Sequence, residues 1–136
     1  MERWKMIEPL PGDHIRVHFK EFYHHGIYIG DDRVIQFGLA SDVFKPACEI
    51  KVLESSMADF LKGGFVEVRQ YTKSERKKLK KPCDIIAYAK SKLGTDGYNI
   101  LHNNCEHFAT ECTTGIREST QIDIIRQFVT NLREQK

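Results

Sequence analysis

Phe22-Tyr23-His24-His25-Gly26-Ile27-Tyr28-Ile29-Gly30-Asp31-Asp32-Arg33-Val34-Ile35-Gln36-Phe37 is the stretch on which the fold turns. Two runs rich in β-branched and aromatic residues, Phe22 to Ile29 and Arg33 to Phe37, are separated only by Gly30-Asp31-Asp32. So short and polar a link predicts an antiparallel hairpin. Side chains alternate across a strand, so His24, Gly26 and Tyr28 share one face and His25, Ile27 and Ile29 the other. Gly26 beside an imidazole leaves room for another element to come close. His24 is therefore the histidine expected to face a catalytic partner from elsewhere in the chain. His25 is expected on the opposite face, packed or solvated.

Upstream of the hairpin, Pro9-Leu10-Pro11-Gly12-Asp13 reads as a turn into a strand where Ile15, Val17 and Phe19 alternate with His14, Arg16 and His18. That alternation puts His14 and His18 at the surface. Downstream, Gly38 to Ala47 reads as an irregular loop and Glu49 to Leu53 as a strand. Ser56, with Asp59 three residues on, caps a short helix. Gly63-Gly64 breaks the chain before the alternating strand Phe65 to Arg69, and Ser74 to Lys80 forms a basic helical turn. Pro82 suits the first turn of a helix to Leu93, with Ile85, Ile86, Ala89 and Leu93 on its buried side and Gly94 ending it. After a turn at Thr95-Asp96-Gly97, Asn103 or Asn104 caps a helix carrying Cys105, Phe108, Ala109 and Cys112. Thr120 with Asp123 opens a last helix with Ile122, Ile125, Val129 and Leu132 on one face. Strands first and helices later predict an α+β domain, an antiparallel sheet packed against helices. The domain is expected over 1–117, with a C-terminal amphipathic helix over 118–136.

The 136 residues, 40% hydrophobic, suffice for one core. A formal net charge of +2 argues against a nucleic-acid partner, which calls for a strongly basic face. The basic runs Arg76-Lys77-Lys78 and Lys80-Lys81 read first as a solvated helix face, and more sharply as a patch for anionic lipid headgroups. Cys48, Cys83, Cys105 and Cys112 fit no CxxC pattern. The first residues lack the apolar stretch of a signal peptide, and no segment approaches the ~20 apolar residues of a membrane span. These features predict a cytoplasmic protein with free thiols.

Cys105 carries the chemical signal. In the first turn of a helix, unpaired N–H groups and the helix dipole favour an anion, and a nearby imidazole favours the thiolate further. A cysteine taken alone is more often a buried structural residue. Of the six histidines, His107 follows Cys105 by two positions and points to another side of the helix, a structural placement. A zinc site from His24, His102 and Cys105 lacks the short ligand spacing such sites use, so no metal or cofactor is expected.

Three pieces of the chain, Pro11-Gly12-Asp13, His24-His25-Gly26-Ile27-Tyr28-Ile29-Gly30 and Asn104-Cys105-Glu106-His107-Phe108, carry a family resemblance. In order and separation they resemble the lecithin:retinol acyltransferase-like group of the permuted papain-like NlpC/P60 superfamily. The H-rev107-type phospholipase A/acyltransferases look most similar, over about Pro9 to Gly115. The resemblance implies a permuted papain-like fold, Cys105 as nucleophile and His24 as the imidazole that activates it. It implies attack on an ester of a glycerophospholipid at a membrane surface, an acyl-thioester, and release to water or to an amine or alcohol. Tyr28 and Asn104, inside the two boxes, become substrate-binding candidates. The family's usual second histidine, twelve positions after the first, is here Gln36. Gln36 either keeps the imidazole oriented at a lower rate or marks a protein that no longer catalyses. The tail departs too: many relatives end in an apolar anchor, whereas Gln121 to Lys136 is amphipathic and charged. Two other functions stay open: a non-enzymatic interaction module with a protein partner, as in the H-box/NC proteins of some picornaviruses, and a cysteine peptidase or amidase. The loop Gly38–Ala47 and the segment Tyr98–Leu101 are candidate pocket walls.

Overall fold

The computed structural model describes residues 3–39, 45–98 and 104–116. The hairpin forms as the sequence predicts. Strands β3 (Phe22–Gly30) and β4 (Arg33–Phe37) pair antiparallel through Gly26–Gln36, Ile27–Ile35 and Tyr28–Val34. Asp31 and Asp32 turn the chain at φ of 52° and 60°, left-handed values that short polar side chains tolerate. Strand β2 (His14–Phe19) pairs with β3 on its other side, and β5 (Val52–Ser56) pairs with β4. Strand β6 (Glu67–Arg69) pairs with β2, and β1 (Trp4–Lys5) closes the far edge against β6. The result is a six-stranded sheet in the order β1-β6-β2-β3-β4-β5. With its helices it is an α+β fold.

Two strands differ from expectation. The segment expected as Glu49–Leu53 begins instead as a 3-10 turn at Ala47–Glu49, where Glu49 and Ile50 donate back to the carbonyls of Pro46 and Ala47. Sheet pairing starts only at Val52. Phe65 stands outside β6 and is 79% exposed. The two-residue β1 carries no periodic signal.

Helix α1 (Met57–Leu61) starts where Ser56 Oγ accepts from the Asp59 N–H, the predicted cap. Helix α2 (Lys73–Arg76) starts one residue earlier than expected, because Thr72 and Glu75 cap it reciprocally. Helix α3 (Pro82–Ser91) has Pro82 in its first turn and buries Ile85 and Ala89. Ile86 is only half-buried, and Leu93, beyond the helix end, is 41% exposed, so the buried stripe is narrower than its periodicity suggests. Helix α4 (Cys105–Thr114) starts at Asn104 and ends on Gly115 at φ 81°. None of the described helices is long and apolar enough to cross a membrane. The amphipathic segment expected over 118–136 lies outside the described residues, as do His102 and Asn103.

The sheet has a core on each face. One face packs Ile27, Ile35, Phe37 and Val52 against Ile85, Ala89, Cys105, Phe108, Ala109 and Cys112 of α3 and α4. The other packs Ile15, Val17, Val34 and Val68 against Phe60 of α1. Double coverage overturns the surface placement of His14, which is 3% exposed, while His18 is exposed. His14 lies under the edge of the Trp4 ring, 5.0 Å between centroids, on the face that α4 covers.

Gly12 joins the sheet to α3. Its φ is +94°, its N–H donates to Tyr28 O at 2.7 Å, and an added Cβ would lie 2.9 Å from Pro82 Cα. Both the conformation and the backbone neighbour oppose a side chain. Gly12→Ala should destabilise the fold by about 1–3 kcal/mol. Urea unfolding should show a lower midpoint at an unchanged slope; an unchanged midpoint would mean that α3 can move away freely.

Candidate active site

Asn104 sets the start of α4. Its Oδ1 accepts from the N–H groups of Glu106 and His107, both at 3.0 Å, and its own N–H donates to His107 Nδ1 at 3.2 Å. His107 thus serves as the reciprocal cap, and Cys105 is the first helical residue. Asn104 acts here through the helix end.

The other half of the site comes from the edge of β3. Gly12 N–H donates to Tyr28 O and Tyr28 N–H donates to Asp13 O, so the backbone polar groups of Tyr28 aim toward the β2 side. In an antiparallel strand these directions alternate, so those of Ile27 and His25 aim toward β4. Pairing with β4 stops at Gly26–Gln36. The His25 N–H, one residue beyond, donates to the Cys105 sulfur instead. The N–H of Cys105 itself also points at that sulfur, and that of Glu106, spent on Asn104 Oδ1, adds its dipole from nearby. Burial nevertheless dominates and, with a smaller push from the Glu106 carboxylate, raises the thiol to about 11 against these donors. At neutral pH the resting group is a thiol, and its use as a nucleophile needs a base.

His24 and Gln36 come together on the opposite face. Both are buried, with His24 Nε2 2.6 Å from Gln36 Oε1. Gln36 Nε2 donates to Ser55 Oγ at 2.5 Å, and Ser55 Oγ donates to Ser56 O at 3.0 Å. The Ser55 hydroxyl has one proton and gives it to a carbonyl, so it must accept from the Gln36 amide nitrogen. That leaves the Gln36 oxygen for His24, so Nε2 carries a proton and, in the neutral ring, Nδ1 carries the lone pair. Ser55 was not picked out from sequence; only the β4–β5 register, Val34 opposite Ser55, makes it a diagonal neighbour of Gln36.

The approach to His24 differs from the expectation. The space over Gly26 is filled by Phe60 and Val34, whose atoms would lie 2.9 Å and 2.8 Å from an added Cβ, and the His24 ring stacks at a tilt on Phe60. The body of α4 packs on the Ile27 face. The sulfur is held at the strand edge, by the peptide that joins His24 to His25. Cys105 and His24 therefore approach one peptide of β3 from its edge and from one face.

Tyr28 lies on the α1 face, where its hydroxyl accepts from Asp32 N–H at 3.3 Å; it is not placed beside Cys105. Tyr98 is nearer. It packs edge-on to Phe37 at 5.1 Å, and its phenol is pushed up by burial and by the Cys105 charge. The rest of that expected wall, and most of the loop after Leu39, lie outside the described residues. Among the described residues no three His, Cys, Asp or Glu side chains form a metal-binding group.

The lecithin retinol acyltransferase family model matches residues 7–118. The chain belongs to this family. Rat lecithin retinol acyltransferase is 30% identical over 140 residues, covering 88% of this chain and 61% of the relative. Human phospholipase A and acyltransferase 3 is 31% identical over 129 residues, covering 87% and 79%. Protein LEAD-SENSITIVE 1 of Arabidopsis thaliana is 29% identical over 150 residues, covering 78% and 58%. The chain spans about three fifths of the length of the rat lecithin retinol acyltransferase that it matches.

This family member also carries an imidazole pair behind the cysteine. His14 Nε2 and His25 Nδ1 are 2.8 Å apart, both rings are buried, and Trp4 lies edge-on to each. Burial, then Arg69, Arg16 and Arg3, push His14 down to about 3; burial and the neighbouring His14 hold His25 well below the ordinary range. The folded state therefore keeps both neutral where the unfolded chain takes up protons. That contribution is complete above about pH 6.5, the unfolded value, and is lost as pH falls toward the folded one. Unfolding free energy should fall by about 1.4 kcal/mol per pH unit for each such histidine below pH 6.5. Trp4 fluorescence during urea unfolding at stepped pH reads this, and His14→Gln should flatten the slope. An identical slope in the variant would remove His14 as its source.

Proposed function

We propose that the chain takes a fatty acyl group from a glycerophospholipid through a Cys105 thioester and passes it to water or to an amine or alcohol. The observation that carries this reading is the sulfur at the start of α4. It receives the backbone N–H of its own residue and that of His25, the residue after His24, whose ring tautomer Gln36 and Ser55 fix. The names of the relatives, acyltransferases and phospholipases A, supply the substrate class.

The steps follow from the charges. His24 Nδ1 takes the Cys105 proton as the sulfur attacks the acyl carbonyl carbon, and the charge moves to the carbonyl oxygen. The N–H groups of His25 and Cys105, which faced the sulfur, then donate to that oxygen. The imidazolium then protonates the departing lysophospholipid oxygen, and the C–O bond breaks to leave the thioester. Water or an acceptor attacks next, His24 takes its proton, and the returning thiolate recovers it. Gln36 orients the ring but, being neutral, adds little to the stability of the imidazolium. The free state of all four cysteines supports a reducing compartment such as the cytoplasm, with the membrane surface visited as substrate.

A second reading, a weakened or inactive interaction module, is favoured by two of the same facts: the amide at position 36 and a thiol at about 11. One experiment separates the two. Phosphatidylcholine vesicles are incubated with wild type and Cys105→Ser, and intact mass and released fatty acid are read together. An acyl increment or fatty acid is expected in wild type alone. His24→Ala should lose about a thousandfold of that rate or more, and Gln36→Ala about 10–100-fold, with folding retained. If folded wild type gives neither adduct nor fatty acid and Gln36→His does not restore them, the interaction module stands instead.

A further inference from the structure

Beyond the His14–His25 pair, on the face that α4 covers, lies a cavity of about 360 Å³ that the acyl chemistry does not use. Its ionic lining is Arg3, Arg69 and Lys78 against Glu75 and Glu106, three cations against two carboxylates. Glu75 is committed to Arg69, at 2.5 Å, and to the cap of α2. Glu106 is buried and engaged with a partner of its own. Arg3 and Lys78 are exposed at the rim, and neither has an ion-pair partner among the described residues.

The floor adds a second, independent observation. The Tyr71 hydroxyl is enclosed and makes no hydrogen bond of ordinary geometry. The neighbouring Thr113 hydroxyl lowers the phenol's pKa somewhat, but its own proton goes to Ala109 O at 3.1 Å, and burial still pushes the phenol up to about 12. Tyr71 thus stays a donor in the cavity lining, below two cations that have no ion pair among the described residues. Its available acceptor is Thr113 Oγ, outside ordinary hydrogen-bond geometry, so an anionic oxygen that opened the floor to the hydroxyl would offer it a stronger partner. The His14 wall is neutral and cannot supply more charge, and the arginines that depress it mark a positive potential there. The basic run of the sequence also divides: Lys78 lines the cavity, while Lys80 lies over the Tyr88 ring at 4.4 Å.

We propose that this cavity binds a phosphate group, held by Arg3, Lys78 and the Tyr71 hydroxyl. Its use as the headgroup site of the acyl donor rests on the acyl-transfer reading. Glu106 directly follows Cys105 and lines the cavity, and only the glycerol backbone separates phosphorus from the acyl carbonyls of a glycerophospholipid.

The test uses the isotope-labelled full chain carrying Cys105→Ser, titrated with inorganic phosphate and separately with glycerophosphocholine. Saturable shifts are expected at the Tyr71, Thr110 and Thr113 amides with at least one probe. Arg3→Ala with Lys78→Ala should weaken binding about tenfold, the loss of two charge-assisted contacts. Tyr71→Phe, which keeps the ring, should weaken it severalfold. Tighter binding of glycerophosphocholine assigns a headgroup site, and binding of inorganic phosphate alone assigns a free-anion site; both sustain the phosphate cavity. No saturable shift with either probe, or equal affinity in the double variant, overturns it. No turnover is involved, so binding without fatty-acid release in wild type would sink only the acyl reading. Fatty-acid release without binding would sink only the cavity.

Discussion

The hydrogen bond from the His25 N–H to the Cys105 sulfur is the contact on which the rest of the site depends. A buried N–H left unpaired costs about 1–3 kcal/mol, and β3 creates one when β4 leaves it after Gly26–Gln36. Helix α4 starts where it can fill that vacancy. Asn104 fixes the start by occupying the Glu106 and His107 N–H groups, so the first helical side chain is the one that reaches the strand. The cap, the departure of β4 and the position of the cysteine are thus parts of one arrangement.

Adjacent histidines then serve opposite faces. His24 ends a directional chain that runs from Ser56 O through Ser55 and Gln36. His25 closes a pair with His14 under Trp4. Each ring is fixed by a neutral partner. The peptide between them points at the sulfur, so side-chain order on both faces holds one backbone N–H in place.

Much of the fold was legible because local rules agreed with the tertiary outcome. The β3–β4 hairpin, the Ser56 cap, Pro82 at a helix start and Asn104 before Cys105 were readable from turn and cap chemistry alone. Burial was harder to read. His14 alternates with apolar residues as a surface position would, and only coverage of that face by α4 and Trp4 buries it. The path to the cysteine was misjudged for a related reason. Period-two reasoning divides a strand into two faces and has no place for a group held at its edge. Ser55 and the cavity at Tyr71 depend on strand registers and on β1, which carry no local signature.

A thiol held at about 11 has a place in this arrangement. A thiolate of higher basicity is intrinsically the stronger nucleophile, although less of it exists at rest. In the acyl-transfer reading, the thiol gives up its proton more easily when an acyl carbonyl is present, because the charge passes to its oxygen and to backbone N–H groups. Until then the sulfur stays neutral and buried, unlike the exposed Cys48 and Cys83, and oxidants that act on exposed thiolates have little to attack. The same burial that raises the pKa thus shields the sulfur from those oxidants.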